Sequence, residues 1–149
     1  MKRDLRSDYR AGVTEIMTDF LKRYPGLAVC REPLLAAFEM LKAAFADGKM
    51  LLICGNGGSA ADAEHISGEL MKGFLKKRPL SETDRLKLQA AIPENIDLAD
   101  LLQEALPAYP LSVNGGLTTA IINDLRADLI FAQQVWGYGS PGDVLLAIS

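Results

Sequence analysis

The chain has 149 residues, 49% hydrophobic and 23% charged, with 16 Lys and Arg against 19 Asp and Glu for a net charge of −3. That length and balance belong to one globular domain with a core of its own, and exclude a disordered tail or low-complexity linker. No apolar run approaches the ~18 residues a membrane helix needs, and the basic start at Lys2, Arg3 and Arg6 leads into an amphipathic segment rather than a signal-peptide core. A pI of about 5.2 argues against direct nucleic-acid binding. Two cysteines, Cys30 and Cys54, and the single His65 supply neither a disulfide framework nor an all-protein zinc site within one chain. The reading is a soluble, cytoplasmic protein with no membrane partner.

In chain order, Leu5, Tyr9, Val13, Ile16, Met17, Phe20 and Leu21 recur at three- and four-residue steps and predict a long amphipathic helix that Pro25-Gly26 stops. Pro33 opens a second helix, with Leu34, Leu35, Phe38, Leu41 and Phe45 on one stripe, closed by Asp47-Gly48. Met50 to Cys54 is a short continuous apolar run, as expected of a parallel strand buried on both faces. Beyond a glycine-rich turn, Ser59 to about Lys76 reads as a third helix with Ala63, Ile66, Leu70 and Phe74 on its apolar side, ended by Pro79. Residues 80–107 read as a helical insertion: Ser81-Glu82-Thr83-Asp84 caps one short helix, and Ile96, Leu98, Leu101, Leu102 and Leu106 mark another after Pro93. Leu111-Ser112-Val113 is expected as a second strand, Leu117 to Asn123 and Asp128 to Gly137 as helices, and Asp143 to Ile148 as a third strand. Cys54, Phe74 and Trp136 are assigned to the core. Apolar strands alternating with helices predict an α/β fold, an open parallel sheet with helices on both faces and ligands at the carboxyl ends of its strands.

Gly55-Asn56-Gly57-Gly58-Ser59-Ala60 lies between a predicted strand and a predicted helix, so its backbone N–H groups and the helix N-terminus can converge on a phosphate. Its glycines allow positive φ and close backbone approach, and the Ser59 hydroxyl can cap the helix or bond a phosphate oxygen. A tight turn without a ligand is the alternative. Gly55-x-Gly57-x-x-Ala60 also matches the dinucleotide fingerprint, but Lys76-Lys77-Arg78-Pro79 stands where a ribose-binding carboxylate is expected, and no Gly-Lys-Ser/Thr is present. No nucleotide cofactor is expected. On the third helix Asp62, His65, Glu69, Lys72 and Lys76 share one face. A solvated helix face explains such a pattern equally well, except that this one stands directly behind a phosphate-type loop, where carboxylate and imidazole are the groups that proton transfer beside a carbonyl requires.

At these residues the sequence resembles the SIS (sugar isomerase) domain family, and within it the phosphoheptose isomerases. The resemblance rests on Cys54-Gly55-Asn56-Gly57-Gly58-Ser59, on Asp62-Ala63, His65 and Glu69-Leu70, and resumes at Asn123-Asp124, Phe131 and Gly142 to Ser149. It implies a three-layer, flavodoxin-like α/β domain over 1–149 that lacks its C-terminal part, with an N-terminal oligomerisation helix over 1–28. It also implies aldose–ketose isomerisation of sedoheptulose 7-phosphate through an enediol, in a homotetramer; Ser59 and Glu69 stand ten residues apart, roughly 15 Å along one helix, which predicts an active site shared between subunits. Glu69 falls on the catalytic carboxylate, and His65 with Glu69 on zinc-ligand positions of metal-containing members. Asn56, Gly57, Gly58 and Ser59 fall on substrate and phosphate positions, Asp124 on an acidic residue near the sugar, and Ser149 on the first serine of a second phosphate loop. Gly73 stands where the isomerases usually carry an arginine, and 80–107 exceeds the family connection. A cousin of the same fold, the DnaA-initiator-associating protein, supplies the other reading: a non-catalytic module that binds a sugar phosphate or a protein partner.

Overall fold

The computed structural model describes residues 8–94 and 97–149. The chain divides into two compact units, one ending at Lys42 and one running from Ala43 to Ser149.

In the first unit, helix α1 (Asp8–Arg23) ends where Pro25 cannot continue it, and a 3₁₀ turn over Pro25–Cys30 leads into α2 (Arg31–Ala46). Pro33 falls in the first turn of α2, where its missing N–H costs no helical bond. Along α1, Val13, Met17 and Phe20 are half-buried while Ile16 is 71% exposed; Leu5 and the Tyr9 side chain lie outside the described residues.

In the second unit three parallel strands, β1 (Leu51–Cys54), β2 (Ala108–Pro110) and β3 (Val144–Ala147), stand in the order β2-β1-β3. Leu51 is in register with Ala108 on one side and Val144 on the other. With a neighbour on each edge, β1 is buried at all four residues, whereas β3, paired on one edge, alternates between half-buried and exposed. Helix α3 (Gly58–Met71) packs on β1 and β2, with Ala63 and Ser67 buried and the Ser67 hydroxyl donating to the Ala108 carbonyl at 2.8 Å. Leu52, Cys54 and Leu111 form a buried cluster with Met50, Tyr109, and Phe131 and Val135 of α7 (Ile130–Tyr138). Because side chains alternate along a strand, Leu51 and Ile53 point away from this cluster, so helices cover both faces of the sheet as expected. The remaining helices are α4 (Glu82–Ala91), capped by Ser81 as expected, the single turn α5 (Leu98–Leu101), and α6 (Gly115–Asp124), capped by Asn114.

Four expectations are corrected. Helix α3 stops at Met71, not near Lys76, because the carbonyl of Leu70 accepts from the Leu106 N–H at 2.9 Å and from Arg78 Nη2 at 2.6 Å, which displaces the next helical donor. The second strand lies at Ala108–Pro110 rather than Leu111–Val113: its flanking prolines read as breakers, but β2 is an edge strand, where proline is tolerated. The helix after Pro93 is reduced to Leu98–Leu101, with Ile96 outside the described residues and Leu102 already extended. Of the three residues assigned to the core, Cys54 is buried, but Phe74 is 73% exposed past the end of α3 and Trp136 is 87% exposed. Trp136 lines an open apolar groove between α7 and the strands with Leu52, Val135, Gly139, Val144 and Leu145.

The turn into β3 is held by one carboxylate. Asp143 Oδ1 accepts from the Met50 N–H and Oδ2 from the Ser140 N–H, both at 2.8 Å, and the turn needs Gly142 at φ +94°. These two N–H groups, Met50 first, hold the Asp143 carboxyl below its ordinary range. A carboxyl with a folded-state pKa below its unfolded one stabilises the fold above the unfolded value, and that contribution fades as pH falls through the folded value. Asp143→Asn is therefore expected to lower Tm at pH 7, with the gap to the wild type closing below about pH 4; thermal melts across pH 2.5–7 test this, and a gap independent of pH would refute the latch.

Candidate functional site

The sheet order itself points to the site. From β1 the chain crosses through α3 to β2 on one side, then returns through α6 and α7 to β3 on the other. The carboxyl ends of β1 and β3 are thus a topological switch point, where diverging connections leave a crevice. The glycine-rich loop lies there. The Ile148 N–H donates to the Cys54 carbonyl at 2.9 Å, which sets Ser149 beside the start of the loop. On the other flank the Leu111 N–H donates to the Ile53 carbonyl at 2.8 Å and brings Ser112 and Asn114 to the same edge.

Each glycine of the loop has its own reason. Gly55 is buried, and a Cβ there would lie 2.7 Å from the Ser59 carbonyl oxygen and 2.8 Å from Ser59 Cβ, so the first turn of α3 rests directly on its Cα. Gly57 precedes α3 at φ 57°, ψ −123°, a conformation that side chains disfavour. The Ser59 N–H closes the turn on the Asn56 carbonyl at 3.1 Å, and the Ala60 N–H bonds the Gly57 carbonyl at 3.1 Å. Ser59 thus contributes no free N–H, and no side chain caps this helix, so its hydroxyl does not act as a cap. The N–H groups of Gly57 and Gly58 meet no acceptor among the described residues and stand at the positive end of the α3 dipole. Asn56, Gly57 and Gly58 are exposed and Ser59 half-exposed, so an anion can reach them. Burial pushes the Cys54 thiol upward, which keeps it protonated beneath the loop.

On α3, His65 Nε2 and Glu69 Oε1 are 3.8 Å apart on an exposed face that also carries Asp62. Lys72 turns extended at the helix end, and Lys76 lies beyond it, so neither continues this face as expected. Glu69 is ten residues from Ser59, roughly 15 Å along the helix axis at 1.5 Å per residue. Within one chain the loop and the carboxylate are not brought together. Asp124 is exposed at the end of α6. A zinc ion takes about four donors; His65 and Glu69 supply two, and no group of three His, Cys, Asp or Glu suited to a metal occurs among the described residues. The pair alone does not fit zinc.

Two residues escape pattern reading. Gln134 of α7 is 2% exposed, and its Nε2 donates to the Leu111 carbonyl at 2.9 Å and the Ile130 carbonyl at 2.8 Å, which ties α7 to the exit of β2. Its polar type within an amphipathic helix carries no such signal. Arg78 is the second: its guanidinium reaches the carbonyls of Glu69, Leu70 and Glu104.

A parallel sheet with a glycine-rich loop at its switch point, followed by a helix with an exposed carboxylate and imidazole, defines an open parallel α/β module. Residues 8–104 match the SIS domain, and the chain belongs to that family. It is 38% identical over 118 residues to the phosphoheptose isomerase of Shewanella denitrificans, covering 79% of this chain and 47% of that protein, and 37% identical over the same length to that of Shewanella baltica. The structure of phosphoheptose isomerase GmhA from Neisseria gonorrhoeae superposes with a TM-score of 0.59 at 26% identity, over 97% of this chain and 61% of that one. The chain spans about half the length of the curated relatives it matches.

Inorganic phosphate is expected to shift the Gly57 and Gly58 amide resonances first in an NMR titration. Gly55→Ala, which drives a methyl into the Ser59 backbone, is expected to destabilise the fold by about 1–3 kcal/mol and to weaken phosphate binding. Unmoved Gly57 and Gly58 resonances at saturating phosphate would remove the anion site.

Proposed function

We propose that the chain is part of a phosphosugar isomerase that interconverts sedoheptulose 7-phosphate and the corresponding aldose phosphate. The observation that carries this reading is Glu69, a solvent-reachable carboxylate 3.8 Å from His65 on the helix behind the anion loop, in a chain 38% identical to a phosphoheptose isomerase. The N–H groups of Gly57 and Gly58, with Asn56, Ser59 and Ser149 around them, take the phosphate. Glu69 removes the proton from the hydroxyl-bearing carbon beside the carbonyl, and the electron pair of that C–H bond forms the enediol double bond as the carbonyl π pair passes to its oxygen, which takes the proton of the neighbouring hydroxyl; Glu69 then returns its proton to the former carbonyl carbon, and the new carbonyl forms at the oxygen that gave its proton up. His65 orients the carboxylate. Zinc held by His65 and Glu69 would need two further donors from another copy or another segment.

The distance along α3 supports a site shared between copies, with Glu69 of one chain near the loop of the next, and we propose a homotetramer. Exposed Ile16 on α1 and exposed Phe74 and Leu75 beyond α3 give such an assembly apolar surface to cover. No helix among the described residues is long and apolar enough to cross a membrane, and Cys30 and Cys54 are free, as suits a reducing cytoplasm. The non-catalytic reading is favoured by Gly73. It is buried, and a Cβ there would lie 2.1 Å from the Lys76 carbonyl oxygen, so this backbone has no room for the arginine that the family resemblance puts at this position.

Glu69→Gln is expected to lower kcat on sedoheptulose 7-phosphate by about 10²- to 10⁴-fold while phosphate affinity is retained. A wild-type protein that binds the sugar phosphate without turning it over would support the non-catalytic reading instead. Sedimentation should show an oligomer; an active monomer would end the shared-site proposal.

A further inference from the structure

We propose that Arg78 is a positioning residue for Glu69: its guanidinium pins the last turn of α3 to the returning chain and so sets where the carboxylate stands. This rests on the isomerase reading for its catalytic consequence, but the geometry is independent of it. Arg78 is anchored through its own backbone, since its N–H donates to Gln103 Oε1 at 3.2 Å and its carbonyl accepts from the Glu104 N–H at 2.7 Å. Beside it, Pro79 and Gln103 form an antiparallel bridge. From that fixed base the side chain spans two segments. Nε donates to the Glu104 carbonyl at 2.9 Å, while Nη2 donates to the Leu70 carbonyl at 2.6 Å and, at the long limit of 3.5 Å, to that of Glu69.

Carbonyls at a helix C-terminus lack helical donors and carry the negative end of the dipole, so a part-buried cation bonding two successive ones is favoured by charge as well as geometry. Glu69 thus lies in a turn whose own and following carbonyls are both held. A lysine has one nitrogen and cannot make the two-sided span that the planar fork makes. Residues 80–102 leave and return at this clasp, so it also isolates α3 from that excursion.

The test uses Arg78→Ala and, in case that variant folds poorly, Arg78→Lys, in the complete protein. Three readouts are compared with the wild type: steady-state kinetics on sedoheptulose 7-phosphate, inorganic phosphate affinity at the Gly57-Gly58 end, and amide exchange along α3. Misplacement of a reacting group by about 1 Å costs up to about 10²-fold, so kcat is expected to fall roughly 10- to 100-fold. KM and phosphate affinity are expected to stay within about twofold of the wild type, a margin far below the tenfold that 1.4 kcal/mol would give. The Lys72 amide, bonded to the Gly68 carbonyl, is expected to exchange faster while the amides around Ala63 do not. Unchanged kcat with unchanged Lys72 exchange overturns the proposal, as does loss of phosphate binding in proportion to kcat, which marks general unfolding. A wild type without turnover removes the isomerase reading alone; Lys72 exchange in the variants then still decides whether Arg78 holds the Glu69 turn.

Discussion

The second unit hangs on the burial of β1. The strand Leu51–Cys54 has a parallel neighbour on each edge and helices on both faces, and each end of it is fastened across to its neighbours. The Leu51 N–H reaches the Pro107 carbonyl and the Val144 N–H the Met50 carbonyl, while Leu111 and Ile148 donate to Ile53 and Cys54 at the other end. A strand this short can be held firmly because its backbone pairs on both edges. The loop that leaves Cys54 is therefore projected from a rigid platform, which is what an anion site made of backbone N–H groups requires.

Helix α3 acts as a ruler laid from that platform. Its start is fixed by contact, with Ser59 resting on the Cα of Gly55, and its end is fixed by bonding to Arg78 and Leu106. Between the two, the intervening turns carry Ala63 and Ser67 inward and Asp62, His65 and Glu69 outward. The helix pitch alone separates the loop from Glu69. A single chain cannot close that gap by side-chain rotation, which is the ground of the shared-site proposal.

The segment between Pro79 and Gln103 is structurally self-contained. Ser81 caps α4, Arg85 bonds Asp100, and Ala99 is buried, while the bridge at its base joins the chain leaving α3 to the chain entering β2. Its energetic cost to the domain is small, because loop-closure entropy grows only slowly with length and here the ends are already clasped. The SIS match runs through this segment to residue 104.

The elements with strong local signals were legible from residues alone. The continuous apolar run of β1, the Pro and Gly stops around α1 and α2, the Ser81 cap and the positions of Gly55 to Ser59 are short-range chemistry, and they determined the α/β class, the strand–loop–helix unit and the candidate residues on it. Other features depended on partners distant in sequence. Helix α3 ends at Met71 because Arg78 and Leu106 take its carbonyls; β2 begins at Ala108 because it is in register with Leu51; Gln134 is buried because it meets the Leu111 carbonyl. Phe74 and Trp136 kept helical spacing yet lie exposed, since periodicity reports a face but not whether anything packs on it. The sequence by itself determined which groups could bind an anion and move a proton. The helix period alone also placed them some three turns apart; only the tertiary structure decided where that helix begins and ends, because its ends are set by partners distant in sequence, Arg78 and Leu106 at one end, and by the close seat on Gly55 at the other.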